Sequence, residues 1–241
     1  DKMIVLFPFE EKIYQQVDVD VSWVGHPLMD EMQIENDSGE FRRQYGLQNN
    51  IPLLAIAPGS RPSEMQRHLP TLLEALPRIR EKTGEIQCML PVAESLDLKE
   101  IKNITEVSPV PVTLVQEQFI EAIRACDAAI VASGTASLQT ALALTPFVIV
   151  YRVSPLTFWI ARHLADTKYI GLVNVLAERE IVPEILQNDF TVSNITKAAV
   201  RLLQDEDYRA TMICQLKTTR SKLGEPGAYD KAALCIENTL R

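Results

Sequence analysis

The stretch DAAIVASGTASLQTALALTPFVIV, residues 127–150, decides the fold. Residues 128–132 form a short apolar run with β-branched members, the composition of a strand buried in a parallel sheet. Ser133-Gly134-Thr135 is a tight turn, and residues 136–144 are rich in helix formers. Thr145-Pro146 stops that helix, because proline cannot continue it. Residues 147–150 are the next buried strand. The turn therefore lies between a strand C-terminus and a helix N-terminus, where open α/β sheets bind ligands. Free amides at a helix start favour an anion, and Ser133 and Thr135 add hydroxyl donors. The expectation is a phosphate held by Ser133, Gly134 and Thr135. Taken alone, such a turn more often does no more than cap its helix.

The same alternation runs outward in both directions. Residues 53–57 read as a strand, Pro58-Gly59-Ser60-Arg61 as a turn, and 62–82 as helices. Strands at 86–91 and 110–115 alternate with helices at 94–103 and 117–125, the last with Phe119, Ile120 and Ile123 on one face. Upstream, a strand at 3–7, a short helix from Pro8 and a strand at 19–24 make one βαβ unit, with Gly25-His26-Pro27-Leu28 at its end. Residues 29–38 read as a linker, and 39–45 as a helix capped by Gly46. Downstream come a helix at 156–165, a last strand at 169–173 ending at Asn174, and a short helix at 183–187. Helices at 191–203, 208–223 and 228–240 close the chain, with Thr191 or Ser193 as the first N-cap. Short apolar strands alternating with helices give an α/β chain with a Rossmann-like, doubly wound parallel sheet.

Composition narrows the function classes. A net charge of -8 over 241 residues argues against a general nucleic-acid binder. Apolar content of 46% with 23% charged residues is that of an ordinary globular protein. The four cysteines lack metal-ligand spacing, so no metal or other cofactor is expected, and reduced, buried thiols in a cytoplasmic compartment are. No run reads as a membrane span or a signal peptide, and a strand that begins almost at the first residue reads as part of something longer.

Arg61 just past a strand end is suited to bidentate phosphate contact, against the plainer reading of a solvated surface arginine. Gln139, one helical turn after Thr135, could reach a ribose diol or merely face solvent. Asn174, polar inside an apolar run, could fix a ligand or cap the backbone that follows. His26 fits a base or, more often, a packing histidine; His68 and His163 lack a partner motif. Phe158, Trp159 and Arg162, with His163 and the preceding Arg152, suit either a membrane interface or a core helix with a basic edge.

These segments resemble lipid-A-disaccharide synthase, a glycosyltransferase of the two-Rossmann-domain GT-B type. The resemblance rests on Leu6-Phe7-Pro8-Phe9-Glu10, Val24-Gly25-His26-Pro27-Leu28, Ala57-Pro58-Gly59-Ser60-Arg61 and Val131-Ala132-Ser133-Gly134-Thr135-Ala136. Tyr151-Arg152-Val153-Ser154-Pro155-Leu156-Thr157-Phe158-Trp159, Asn174-Val175-Leu176-Ala177 and Glu184-Ile185-Leu186-Gln187 complete it. They stand in the family's order across nearly the whole chain.

The resemblance implies transfer of 2,3-diacylglucosamine from its UDP donor to 2,3-diacylglucosamine 1-phosphate, with inversion and without a metal. It implies that residues 1–33 are the last βαβ unit of an otherwise missing N-terminal acceptor domain. Residues 34–241 would be the C-terminal UDP-sugar-binding domain, with helix 228–240 crossing back. Gly59, Ser60, Arg61, Ser133, Gly134, Thr135, Gln139 and Asn174 would bind the nucleotide, with Arg61 and, as a second candidate, His26 closest to the chemistry. Phe158, Trp159 and Arg162 would face a cytoplasmic membrane surface, and a homodimer is expected. Gln139 departs from the family's usual glutamate, and Glu178 from a common glycine. The chain by itself is expected to bind UDP without transferring sugar. The alternatives are a UDP-binding regulatory module, which Gln139 and the missing half support, and an enzyme like the UDP-sugar 2-epimerases, which the aromatic-basic helix opposes.

Overall fold

The computed structural model describes residues 2–33, 37–153 and 168–240. Strands β1 (Met3–Val5) and β2 (Val21–Trp23) pair in parallel and are joined by helix α1 (Pro8–Gln15). After α2 (Leu28–Glu31) and α3 (Ser38–Gln44) comes a six-stranded parallel sheet. Its strands are β3 (Leu53–Ala57), β4 (Gln87–Val92), β5 (Val112–Gln116), β6 (Ala128–Ala132), β7 (Phe147–Tyr151) and β8 (Glu184–Leu186). Their order is β5-β4-β3-β6-β7-β8, so the winding reverses between β3 and β6. β3 and β6 are buried along their full length, as near-continuous Ala, Ile, Leu and Val require.

The crossovers between parallel strands place helices on both faces. On one face α4 (Pro62–Thr83) packs against α9 (Val192–Gln204); on the other α6 (Phe119–Arg124) lies beside α7 (Thr135–Leu142). The segment read as several helices is the single helix α4. Its buried stripe includes Met65, Leu69, Leu72, Leu76 and Ile79, and Pro70 is exposed on the opposite side. α5 (Leu98–Thr105) begins later than expected because Asp97 caps it, accepting from the amides of Lys99 and Glu100. Thr191 caps α9, accepting from the Asn194 amide.

Four expectations need correction. No strand forms at 169–173, where the chain enters helix α8 (Leu172–Ala177), and the expected helix at 183–187 is edge strand β8 with a 3-10 turn, Gln187–Asp189. Short apolar runs cannot separate a buried helix from a strand by periodicity, and here sheet pairing with β7 decides. The supposed linker at 29–38 carries the end of α2, and its Met29 and Met32 are buried in a second apolar cluster with Leu138, Leu142, Leu176 and Leu223. Cys88 and Cys126 are buried, but Cys214 is exposed and Cys235 half-exposed.

That second cluster seats the first βαβ unit against α7. α11 (Ala228–Leu240), which follows α10 (Glu206–Ser221), starts on the same unit: the Asp30 carboxylate accepts from Gly227 N at 2.5 Å and Ala228 N at 3.2 Å. At the opposite end of the sheet Asp127 joins the starts of the two central strands. Its Oδ2 accepts from Leu53 N at 2.8 Å and from Nη2 of the buried Arg42 at 3.0 Å, while Arg42 Nε donates to Ala125 O at 2.7 Å. Arg42→Met leaves the carbonyl of the buried Ala125 without its donor and removes the partner of the half-exposed Asp127 carboxylate. Urea unfolding is expected to show a loss of about 2 kcal/mol; an unchanged midpoint would contradict this account of the strand starts.

Candidate functional site

Because β3 and β6 are neighbours in register, Ala57 against Val131, the turns that follow them open side by side. The first turn needs Gly59. Its φ is +133°, and a Cβ there would run into the Glu64 side chain. Glu64 folds back over the start of α4, its Oε2 accepting from Ser60 N at 3.0 Å and Arg61 N at 3.3 Å. Its other oxygen stands 3.3 Å from Arg61 Nη1. The N-terminus of α4 is thus neutralised by the chain's own carboxylate. What this turn offers a ligand is the Arg61 side chain, which is 75% exposed.

The second turn is built differently. Ser133 N donates to Val150 O at 3.0 Å, which holds the turn to β7. Gly134 precedes α7 with φ +145°, and no side chain caps the helix. Ser137, one turn in, spends its hydroxyl on Gly134 O at 2.7 Å. Among the described residues the amides of Thr135 and Ala136 have no acceptor. Free N–H groups and the positive end of the helix dipole therefore face the opening.

The two turns share a cleft of about 650 Å³, within the range of small-molecule sites. It brings together Gly59, Ser60, Arg61, Ser133, Gly134, Thr135 and Gln139. It also takes in residues not expected at the site: Glu64, Glu94, Glu117, Phe119 and Tyr151. Glu94, Glu117 and Tyr151 stand at strand C-termini, which was the signal available for them. A larger hollow of about 720 Å³ lies beside the edge strand β5, near Tyr45, Lys102 and Thr105. It has neither the switch-point position nor an open helix start.

The structure does not bring Asn174 to the cleft. Asn174 is fully buried in α8, and its amide is consumed by the chain. Nδ2 donates to Val182 O and Glu184 Oε1, both at 2.8 Å, and Oδ1 accepts from Ile181 N and Val182 N. Glu184 also accepts from Ile170 N and Gly171 N, so this network fixes the strand edge next to Ser133 rather than a ligand. His26 is likewise outside the cleft lining. Its Nδ1 accepts from Leu28 N at 3.2 Å and its ring tilts on Phe7 at 4.9 Å. Phe158, Trp159 and Arg162 lie outside the described residues. Burial pushes the Cys88 and Cys126 thiols up, which keeps them unreactive.

A six-stranded, doubly wound parallel sheet with a cleft at its switch point has the domain fold of GT-B glycosyltransferases. Solved structures share that fold. A putative UDP-N-acetylglucosamine 2-epimerase from Listeria monocytogenes superposes with a TM-score of 0.67 at 14% identity, over 100% of this chain and 59% of the other. WaaG, a glycosyltransferase involved in lipopolysaccharide biosynthesis, gives 0.60 at 15% identity, over 95% and 61%. The family model of lipid-A-disaccharide synthetase matches residues 1–238, and the chain belongs to that family. The lipid-A-disaccharide synthase of Syntrophus aciditrophicus is 40% identical over 97% of this chain and 61% of its own length. That of Syntrophotalea carbinolica is 37% identical over 100% and 62%. The chain thus spans about three fifths of the length of these relatives.

Burial lowers the His26 pKa, and Glu10 offsets part of that. A base with a folded-state pKa below its unfolded value contributes stability that is present above the unfolded pKa and is lost as pH falls through the folded one. Stability should therefore decline as pH drops below about 6.5. The expected result for His26→Gln is a shallower decline in that window, read by urea midpoints at successive pH values; parallel curves would show that His26 makes no such contribution.

Proposed function

We propose that this chain is the UDP-binding half of a glycosyltransferase of lipid A biosynthesis. The whole enzyme would transfer 2,3-diacylglucosamine from UDP to 2,3-diacylglucosamine 1-phosphate, releasing UDP and the lipid A disaccharide 1-phosphate. One observation carries this reading beyond family membership: the uncapped start of α7, the exposed Arg61 and Gln139 converge on one cleft.

The diphosphate is assigned to the free amides of Thr135 and Ala136 and the hydroxyls of Ser133 and Thr135. As the bond from sugar C1 to the diphosphate breaks, negative charge grows on the leaving oxygen. Donors already aimed at that oxygen stabilise it without reorganising. Arg61 leaves Glu64 and closes on the diphosphate, since a doubly charged ligand is a stronger partner than a single carboxylate already shared with the Ser60 and Arg61 amides. This arrangement supports metal-independent departure, and an acceptor attacking from the face opposite the leaving group would invert the anomeric centre. Gln139, one turn beyond Thr135, is assigned to the ribose diol; an amide oxygen is one acceptor where a carboxylate supplies two. His26 is assigned to packing beside the hinge, given its bonds to Leu28 and its contact with Phe7.

The base and the acceptor site belong, on this reading, to a domain outside residues 1–241, so the isolated chain binds UDP and does not turn over. Both substrates carry acyl chains, which places the work on the cytoplasmic face of a membrane. The segment with Phe158, Trp159 and Arg162 is assigned to that surface. No helix among the described residues is long and apolar enough to cross it. A homodimer is part of the same proposal.

Calorimetry with UDP on this chain is expected to show saturable one-site binding, and Arg61→Ala to weaken it by about 1.5 kcal/mol, roughly tenfold. Absence of UDP binding would overturn the reading, unchanged affinity would remove Arg61 from the site, and sugar transfer by the chain alone would overturn its inactivity.

A further inference from the structure

His68 is the one histidine of α4 and is fully buried, yet the stripe on which it sits is otherwise apolar, with Met65, Leu69, Leu72 and Leu76 around it. A leucine would suit that stripe. What the imidazole adds is a pair of directional bonds to two different loops. Nδ1 lies 2.6 Å from Pro58 O, in the turn that carries Arg61, and Nε2 lies 3.0 Å from Arg152 N, just past β7. Pro58 O can only accept, so Nδ1 carries the proton; Arg152 N–H can only donate, so Nε2 is bare. The Arg152 carbonyl also stands 3.1 Å from Nε2, but the bare nitrogen serves the amide.

β3 and β7 are not neighbours; β6 lies between them. Two strand spacings are about 10 Å, a gap that backbone pairing does not close once the strands end. The imidazole closes it across the mouth of β6, beside the turn that carries Ser133. The far side of the clamp is itself fixed. The Arg152 guanidinium donates to Phe190 O at 2.8 Å and to Gln187 O at 3.2 Å, and stands over the Phe190 ring at 5.1 Å. Phe190 meets the His68 ring edge-on at 5.4 Å, and Tyr151, which lines the cleft, packs on it at 5.7 Å.

We propose that His68 is a positioning residue. It ties the turn bearing Arg61 to the end of β7 bearing Tyr151, so that the two walls of the cleft are preformed around the α7 start. It touches no ligand, and the proposal rests on the UDP reading only for its binding consequence. A preformed site avoids the ordering cost of binding. His68→Leu should therefore lose UDP affinity by about tenfold or more. Leu76→Ala, a core truncation on the same helix, lowers stability but should keep the wild-type affinity.

Two measurements test this. Long-range 1H–15N spectra of the histidine-labelled chain are expected to show Nδ1 protonated and Nε2 bare; the reverse tautomer would overturn the clamp, and so would protonation of both nitrogens. UDP calorimetry and backbone amide spectra are then compared for His68→Leu and Leu76→Ala. Loss of affinity with shifted Arg61 and Tyr151 amides in the first variant only is the expected result. Equal losses in both variants, or none in His68→Leu, would overturn the positioning role. Should His68→Leu not fold, His68→Asn serves, since it keeps a donor for Pro58 but gives nothing to Arg152 N; wild-type affinity in that variant would contradict the proposal. If the unmutated chain binds no UDP, the functional reading fails, while the tautomer and the amide shifts still decide the clamp.

Discussion

The parallel pairing of β3 with β6 is the constraint on which the site depends. Strand order reverses there, so the helices that follow the two strands leave on opposite faces and their connecting turns cannot cover each other. The crevice left between them is a consequence of winding and would exist whatever residues lined it. Asp127 holds the starts of both strands through Leu53 N and Arg42, which fixes their relative height and so the relative height of the turns at the other end.

Chemistry enters through an asymmetry between two helix starts. Each of α4 and α7 points its positive end at the crevice. Glu64 closes the first, accepting from the amides of Ser60 and Arg61 and holding the Arg61 guanidinium. Nothing in the described chain closes the second. An anion that enters the cleft thus finds one vacant helix terminus and one arginine, its own side chain 75% exposed, held by a single ion pair to Glu64. The self-capped terminus keeps the free chain from carrying two uncompensated positive ends beside each other. The buried His68 and Asn174, with the half-buried Arg152 and Glu184, hold the surrounding loops in place.

Much of this was legible in the residues. The run from Asp127 to Val150 has the composition, turn and proline stop of strand, helix and strand, and the structure has all three in that order. The convergence of Arg61, Ser133 and Thr135 followed from strand-end placement, and that of Gln139 from its place one helical turn after Thr135. Asn174 misled because one polar residue in an apolar run looks the same whether its amide faces a ligand or the backbone of a loop eight residues on; only the fold shows Val182 in reach. The strand and helix near 170 and 185 were exchanged because each is too short for periodicity to declare itself. His68 gave no local sign, since its partners Pro58 and Arg152 are backbone atoms that any sequence would supply. Glu64 was visible as an acid in a first helical turn, but not as the group that occupies the Ser60 and Arg61 amides.

The central claim is that the anion seat is the open start of α7 and not the self-capped start of α4. The most direct test is titration of the 15N-labelled chain with UDP, following backbone amides. The account predicts the largest shifts at Gly134, Thr135 and Ala136, with the amides of Ser60 and Arg61 little changed because Glu64 still holds them. Large shifts at Ser60 and Arg61 with none at Thr135 and Ala136 would contradict it.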